Sequence, residues 1–337
     1  MRIIPNRRRF LAGLAAAGTA GLIAAPSSAR AEPPPETDTV RLPRYFDDDG
    51  GCWAALGIAG ELLRAEGFTV QDVQGDLSVD NSMWLAGGET DFDLTMASML
   101  MLLVDAGVQI TVLSGLHTGC FEVIANDHVR SLTDLRGKKV GVYALNDHPH
   151  VLTQLLVAYV GLDPKRDIEW VPSSDTTPTD LFLDGKIDAF LAGEPVQQDL
   201  RSRKIGHSIF NNGVDRPWSQ YFCCMVAGSA DYVKKNPIAT KRVLRAILKG
   251  ADLCASNAPS AARQLVDRGY SRRYDYTLQT LNNVGYDTWR DYDAEDSMRF
   301  YALRMQETGM IKSSLQEIIA KATDWHFLEE LKRELKM

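Results

Sequence analysis

The sequence predicts an α/β protein of two lobes, each a mostly parallel sheet flanked by helices, followed by a C-terminal helical segment. Three observations predict it. Strand-like and helix-like periods alternate from residue 40 to residue 226, and strands separated by helices of about 8–15 residues imply βαβ units. One short pattern occurs twice: helix end, Gly, two residues, Asp, buried strand. It reads Leu85-Ala86-Gly87-Gly88-Glu89-Thr90-Asp91-Phe92-Asp93-Leu94 in one half and Phe182-Leu183-Asp184-Gly185-Lys186-Ile187-Asp188-Ala189-Phe190-Leu191 in the other. Finally, the roughly 300 residues beyond the N-terminal segment exceed what one core usually organises.

Residues 1–31 read as an export signal. Arg2 and Arg7–Arg9 give a positive start, Leu11–Ala25 is a weakly apolar Ala/Gly stretch, and Ala29-Arg30-Ala31 places small residues where an export peptidase cuts. Asn6-Arg7-Arg8-Arg9-Phe10-Leu11 resembles the twin-arginine signature of passengers exported already folded. The apolar run is shorter than the ~20 residues a bilayer span needs, and no later stretch serves as one. Cleavage would leave a free chain in the periplasm. It would remove five arginines and no acid, taking the formal charge from −7 to −12. An acidic chain with no Lys/Arg block is a poor partner for nucleic acid or anionic membrane.

Glu32–Thr39, with Pro33-Pro34-Pro35, reads as a disordered leader. Val40–Phe46 follows as a strand, and Cys52–Ala65 as a helix burying Trp53, Leu56, Ile58, Leu62 and Leu63. Strand periods recur at Phe68–Val73, Phe92–Met96 and Gln109–Ser114, with helices over Val79–Ala86 and Met99–Ala106. The second series has strands at Phe121–Ala125, Lys139–Tyr143, Ile168–Val171, Asp188–Leu191, near Ile209 and at Phe222–Val226. Its helices span Pro149–Tyr159, Thr179–Leu183 and Pro195–Ser202. From Asn236 the chain turns helical: Val243, Leu244, Ile247, Leu248, Ala251 and Cys254 form one apolar stripe, and Ser314-x-x-Glu317 offers a capping box.

The five cysteines (Cys52, Cys120, Cys223, Cys224, Cys254) are odd in number, so at least one thiol is free or pairs between molecules. Cys223 and Cys224, adjacent in an expected strand, face opposite sides and cannot bridge each other without strain. No C-x-x-C or other metal-ligand spacing is present, and scattered cysteines usually serve as small buried hydrophobes. Neither a metal nor a cofactor is expected.

Three segments together resemble a known family: Leu85-Ala-Gly-Gly-Glu-Thr-Asp-Phe-Asp-Leu-Thr-Met-Ala-Ser98, Ser131-Leu-Thr-Asp-Leu-Arg-Gly-Lys-Lys-Val-Gly-Val142 and Leu183-Asp-Gly-Lys-Ile-Asp-Ala-Phe-Leu-Ala-Gly-Glu-Pro195. They resemble the solute-binding subunits of ABC importers, in the branch handling nitrate, sulfonates, taurine and the thiamine pyrimidine. The likeness runs from about residue 40 to about residue 255, and the middle segment is its most specific part. The resemblance implies a type II periplasmic-binding-protein fold, with the ligand trapped between lobes joined by two crossing segments. These crossings are expected near His117–Phe121 and Val226–Tyr232. Lobe one is then 38–118 plus 229–337, and lobe two is 119–228.

In open α/β sheets, ligands bind beyond the carboxyl ends of the strands. Asp47 and Asp49, before the first helix, either cap it or meet a ligand, and Trp53 offers an aromatic wall. Thr95 and Ser98 lie at a strand-to-helix turn, where the Ser98 hydroxyl either caps its own helix or contacts a ligand. His117 and Thr118 fall at the expected crossing, with His117 either structural or a contact. Asn146 and His148 open a helix whose uncovered N–H groups face the cleft. His148, His150 and Asp147 fall short of a closed metal set. Glu194 stands where the resembling family contributes a cleft residue, and Trp218 is either a cleft edge or part of a packed loop. Helix N-termini favour an anion whereas Asp47, Asp49 and Glu194 repel one. A neutral or zwitterionic ring-bearing solute flanked by Trp53 and Trp218 fits both, ahead of simple oxyanions.

The expected function is therefore a periplasmic receptor and not an enzyme. As a monomer it would deliver a small organic solute (sulfonate, taurine, pyrimidine or a related compound) to an ABC permease. The ATPase would be a separate subunit, since no G-x-x-x-x-G-K-[ST] occurs. Two alternatives stay open. One is an enzyme on the same fold, similar to thiamine-pyrimidine synthases or menaquinone-pathway dehydratases, which the export signal disfavours. The other is the ligand-sensing subunit of a membrane sensor.

Overall fold

The computed structural model describes residues 32–44, 52–74, 81–173 and 175–335. The export signal, Asp47 and Asp49 lie outside these described residues. A first series runs β1 (Thr39–Pro43), α1 (Ala54–Ala65), β2 (Thr69–Val73), α2 (Ser82–Ala86), β3 (Phe92–Met96), α3 (Ala97–Asp105) and β4 (Ile110–His117). A second runs β5 (Phe121–Ala125), β6 (Lys138–Val142), α4 (His148–Tyr159), β7 (Ile168–Pro172), α5 (Pro178–Leu183), β8 (Ala189–Gly193), α6 (Val196–Ser202) and β9 (His207–Asn211). β10 (Cys224–Ser229) is followed only by helices: α7 (Ala230–Lys235), α8 (Pro237–Ser256), α9 (Ala258–Asp267), α10 (Tyr274–Asn283), α11 (Ala294–Glu307), α12 (Leu315–Ala322) and α13 (His326–Glu334).

The strands form a β1–β2 pair, a three-stranded sheet in the order β3-β10-β4, and a five-stranded sheet in the order β7-β6-β8-β5-β9. The expected parallel pairing holds for β1–β2 and for β7-β6-β8. It fails for β10 and β5, which run antiparallel to their neighbours. The cause is topological. β4 ends where the chain crosses from one sheet to the other, whereas β5 and β10 begin there and must run the opposite way. The strand at 224–229, expected in the second lobe, instead lies between β3 and β4, with Cys224 opposite both Met96 and His117. The return crossing accordingly falls at residues 212–223, earlier than expected.

The repeated Gly-x-x-Asp pattern has a physical role. Gly88 and Gly185 take the left-handed conformation (φ 74° and 68°) that ends a helix, which a Cβ would strain. The aspartate three residues later ties the next strand to its neighbour. Asp91 accepts the Arg41 backbone N–H at 2.7 Å and pairs with the Arg41 guanidinium at 2.6 Å. Asp188 does the equivalent in the second sheet, accepting the Lys139 N–H at 2.9 Å and the Asn126 amide at 2.9 Å.

The described residues from 35 onward pack as one unit, and the larger of their two hydrophobic clusters draws on all three sheets. The expected stripe Val243, Leu244, Ile247, Leu248, Ala251 and Cys254 on α8 is wholly buried, largely against α1. The two helices pack tightly at Gly250, where a Cβ would lie 2.5 Å from the Ala55 carbonyl oxygen. Gly250→Ala is expected to destabilise the fold by about 1–3 kcal/mol through overpacking, despite the better helix propensity of alanine, as read from the urea midpoint.

Candidate functional site

The two crossing segments are stitched to each other. After His117, the chain passes through Thr118-Gly119-Cys120 into β5, and on return Asn212 leads out of β9. The Asn212 side-chain oxygen accepts the N–H groups of Cys120 and Phe121, both at 2.9 Å, and the Cys223 N–H donates to the His117 carbonyl at 3.0 Å. Gly119, at φ 64°, makes the turn so close to Gly213 that a Cβ would fall 2.6 Å from its Cα. The C-terminal helices join here too, through a bridge between Thr118 and Gly285.

Beside this crossing lies a cavity of about 300 Å³ lined by Phe121, Glu122, Glu194, Gln197, Arg201, Asn211 and Asn283, among others. It sits where β8 ends and β5 begins, the position that open sheets reserve for ligands. Its Arg201 guanidinium is paired with Glu122 at 2.6 Å, and Asn211 donates to the same carboxylate at 3.0 Å. Glu194 differs. One oxygen sits 3.5 Å from the Asn283 amide, and the other is buried with no hydrogen-bond partner among the described residues. Burial pushes its carboxyl up to about 7, against the opposing pull of the neighbouring Thr280, Asn283 and Gln198 side chains. A carboxyl held close to neutrality in a cavity is poised to meet a donor or a positive group.

The expected site residues fall into separate places. His117, Thr118 and Glu194 gather at the crossing, and the half-buried His148 joins them through Phe121, its ring 5.6 Å from that phenyl. Trp53 is half-buried, and its indole N–H donates to the Leu94 carbonyl at 3.0 Å, which fixes the ring at the start of α1. Thr95 and Ser98 are buried, and Ser98 lies inside the first turn of α3, which has no side-chain cap. Asn146 is exposed, in the left-handed conformation at φ 70°. His150 explains that turn: its Nδ1 accepts the Asn146 N–H at 2.8 Å, and burial holds its imidazole down at about 4. The capping residue of α4 is Asp147, which accepts the His150 N–H at 2.8 Å.

Trp218 requires a correction. Its ring is buried among Tyr159, Phe210, Phe300 and Tyr301, with centroids 5.0–6.2 Å apart, so it is core and lines no cleft. A ligand flanked by Trp53 and Trp218 is thereby ruled out. The five cysteines are buried, as expected, but four of them are not scattered. Cys223 precedes β10 and a register irregularity follows Cys224, so the strand alternation that would oppose their side chains does not apply. Both sulfurs join those of Cys52 and Cys120 in one buried group behind the crossing. Gln197, Arg201 and Asn283 also went unforeseen. Asn283 ends a helix some 90 residues from Glu194, a contact that no local periodicity encodes.

The family described as "NMT1/THI5 like" has a sequence model that matches residues 61–262. The nitrate/nitrite binding protein NrtA of Nostoc sp. is 24% identical over 184 residues, covering 52% of this chain and 40% of that protein. The chain thus spans well under half of the relative's length. Among solved structures, the periplasmic nitrate-binding protein NrtA of Synechocystis superposes with a TM-score of 0.74 at 15% identity, covering 90% of each chain. The alkanesulfonate-binding protein SsuA of Xanthomonas axonopodis pv. citri, bound to MOPS, gives 0.67 at 14% identity, covering 86% of this chain and 99% of that one. These superpositions place the chain in the periplasmic-binding-protein fold.

Proposed function

Because the chain belongs to the NMT1/THI5-like family, we propose that it is the solute-binding receptor of an ABC importer, capturing a small organic molecule between two lobes and releasing it unchanged to a permease. Lobe one comprises residues 38–118 and 224–337, lobe two residues 119–211, and 212–223 the return crossing. Residues 1–31 direct export to the periplasm, where the receptor acts as a monomer. Among the described residues, no helix is long and apolar enough to cross a membrane. The observation that carries the reading is the cavity at the crossing, with the unpartnered Glu194 oxygen beside it.

The charges of the cavity narrow the ligand. Arg201, the one cation among its described lining residues, is already engaged by Glu122. A bare oxyanion therefore finds no free counter-charge, whereas a neutral or zwitterionic solute with an N–H or ammonium group satisfies Glu194. A thermal-shift screen of nitrate, bicarbonate, sulfonates, amines and pyrimidines tests this. At a hundredfold excess over Kd, a true ligand adds about 2.7 kcal/mol of stability. Nitrogen-bearing organic solutes are expected to shift the melting temperature and nitrate is not. With the best of them, Phe121→Ala, which removes the ring that lines the cavity, is expected to raise Kd tenfold or more. An unchanged Kd would remove Phe121 from the site.

A further inference from the structure

Four of the five cysteines come together in the interior. The sulfurs of Cys52, Cys120 and Cys224 all lie within 4.8 Å of one another, and Cys223 Sγ is 3.2 Å from Cys120 Sγ. All are buried, and none forms a disulfide. They arrive from α1's approach, the outward crossing and the start of β10, so three separate chain segments converge. Against them stands His117, fully buried, with neither ring nitrogen hydrogen-bonded among the described residues and the Cys52 thiol in interacting reach. Three sulfurs at one buried point, with a fully buried imidazole beside Cys52, are more than core packing requires.

We propose that Cys52, Cys120 and Cys224 hold one thiophilic divalent metal of the zinc type, with the neighbouring His117 ring turning in as the fourth donor to close the site. Cys3His is a tetrahedral zinc donor set, and thiolates select such soft or borderline ions over magnesium and calcium. Metal–sulfur bonds of ~2.3 Å in a tetrahedron hold sulfurs about 3.8 Å apart, so the three sulfurs need only a small contraction, and the larger adjustment falls on the His117 ring. Three thiols release their protons to solvent as three metal–sulfur bonds form, and neutral His117 supplies the fourth bond. The site then carries a net charge of −1. Cys223 stays outside the set, its sulfur taking a hydrogen bond from the Asn212 amide at 3.2 Å. Since Cys120 lies in the outward crossing and Cys224 directly follows the return one, the metal would clamp the crossing. The inference stands independently of the solute that the cavity takes.

The test is cobalt titration of the full chain, purified anaerobically under reducing conditions and stripped with a chelator. One cobalt per chain is expected, with a strong thiolate-to-cobalt charge-transfer band and tetrahedral visible bands, both lost when zinc is added. Cys120→Ser and Cys224→Ser are expected to weaken binding at least a hundredfold, and His117→Asn to alter the visible bands. Cys254→Ser controls for the loss of a buried thiol, because Cys254 lies outside the group; it should still bind one cobalt. If the serine variants fail to fold, the parent decides alone. A folded parent lacking the charge-transfer band overturns the proposal, as does a Cys254→Ser variant impaired as much as Cys120→Ser. A Cys120–Cys223 disulfide without metal in protein taken directly from cells also overturns it.

Discussion

Trp218→Ala is expected to cost about 3–5 kcal/mol of stability while leaving the solute affinity of the folded protein unchanged. The indole is 2% exposed and touches four other aromatic rings, from α4, β9 and α11. Truncation removes a large buried area and leaves a cavity that rings held by three elements cannot collapse to fill, the costly limit for Trp→Ala substitutions. Urea denaturation gives the first quantity, and calorimetry with the best solute the second. A weakened Kd with an unmoved urea midpoint would return Trp218 to the binding cleft.

Glu194→Gln is expected to do the reverse at alkaline pH, stabilising the fold and weakening solute capture. The folded carboxyl titrates at about 7 and the ordinary value is 4.5. Between these values, the folded protein holds a proton that the unfolded chain has lost. Stability therefore falls as pH rises from 4.5 to 7, and above 7 the whole cost of a buried carboxylate is present. At about 1.4 kcal/mol for each pH unit of that window, the cost at pH 8 is roughly 2–3 kcal/mol, allowing for the partial exposure of the side chain. Glutamine carries no charge, so the variant should exceed the parent by about 2 kcal/mol at pH 8 and nearly match it at pH 5. Identical pH dependences in the two proteins would mean that Glu194 is not held near neutrality. A residue kept at such a cost suggests a functional reason, here the solute.

Local regularities carried most of the fold. The apolar stripe of α8, the capping box at Ser314 and Glu317, and the paired Gly-x-x-Asp turns each follow from contacts within a few residues, and each is present. The antiparallel insertion of β10 between β3 and β4 was not legible, because the Cys224–Ser229 segment reads the same whichever sheet receives it. The site followed the same rule. His117 and Glu194 were visible as polar residues at strand ends. The convergence of Cys52, Cys120 and Cys224 was not, since their separations in sequence match no ligand motif. Trp218 misled because a Pro-containing aromatic loop looks alike at a cleft edge and over a core.

The central claim is that the cavity beside Glu194 takes up a solute and returns it unaltered. Calorimetry of the parent and of Glu194→Gln with the best solute of the screen, followed by mass spectrometry of the released compound, tests it most directly. The account predicts one solute per chain, a Kd at least tenfold weaker in the variant, and a released mass equal to that supplied. Equal affinity in both proteins, or a compound recovered at a different mass, would contradict it.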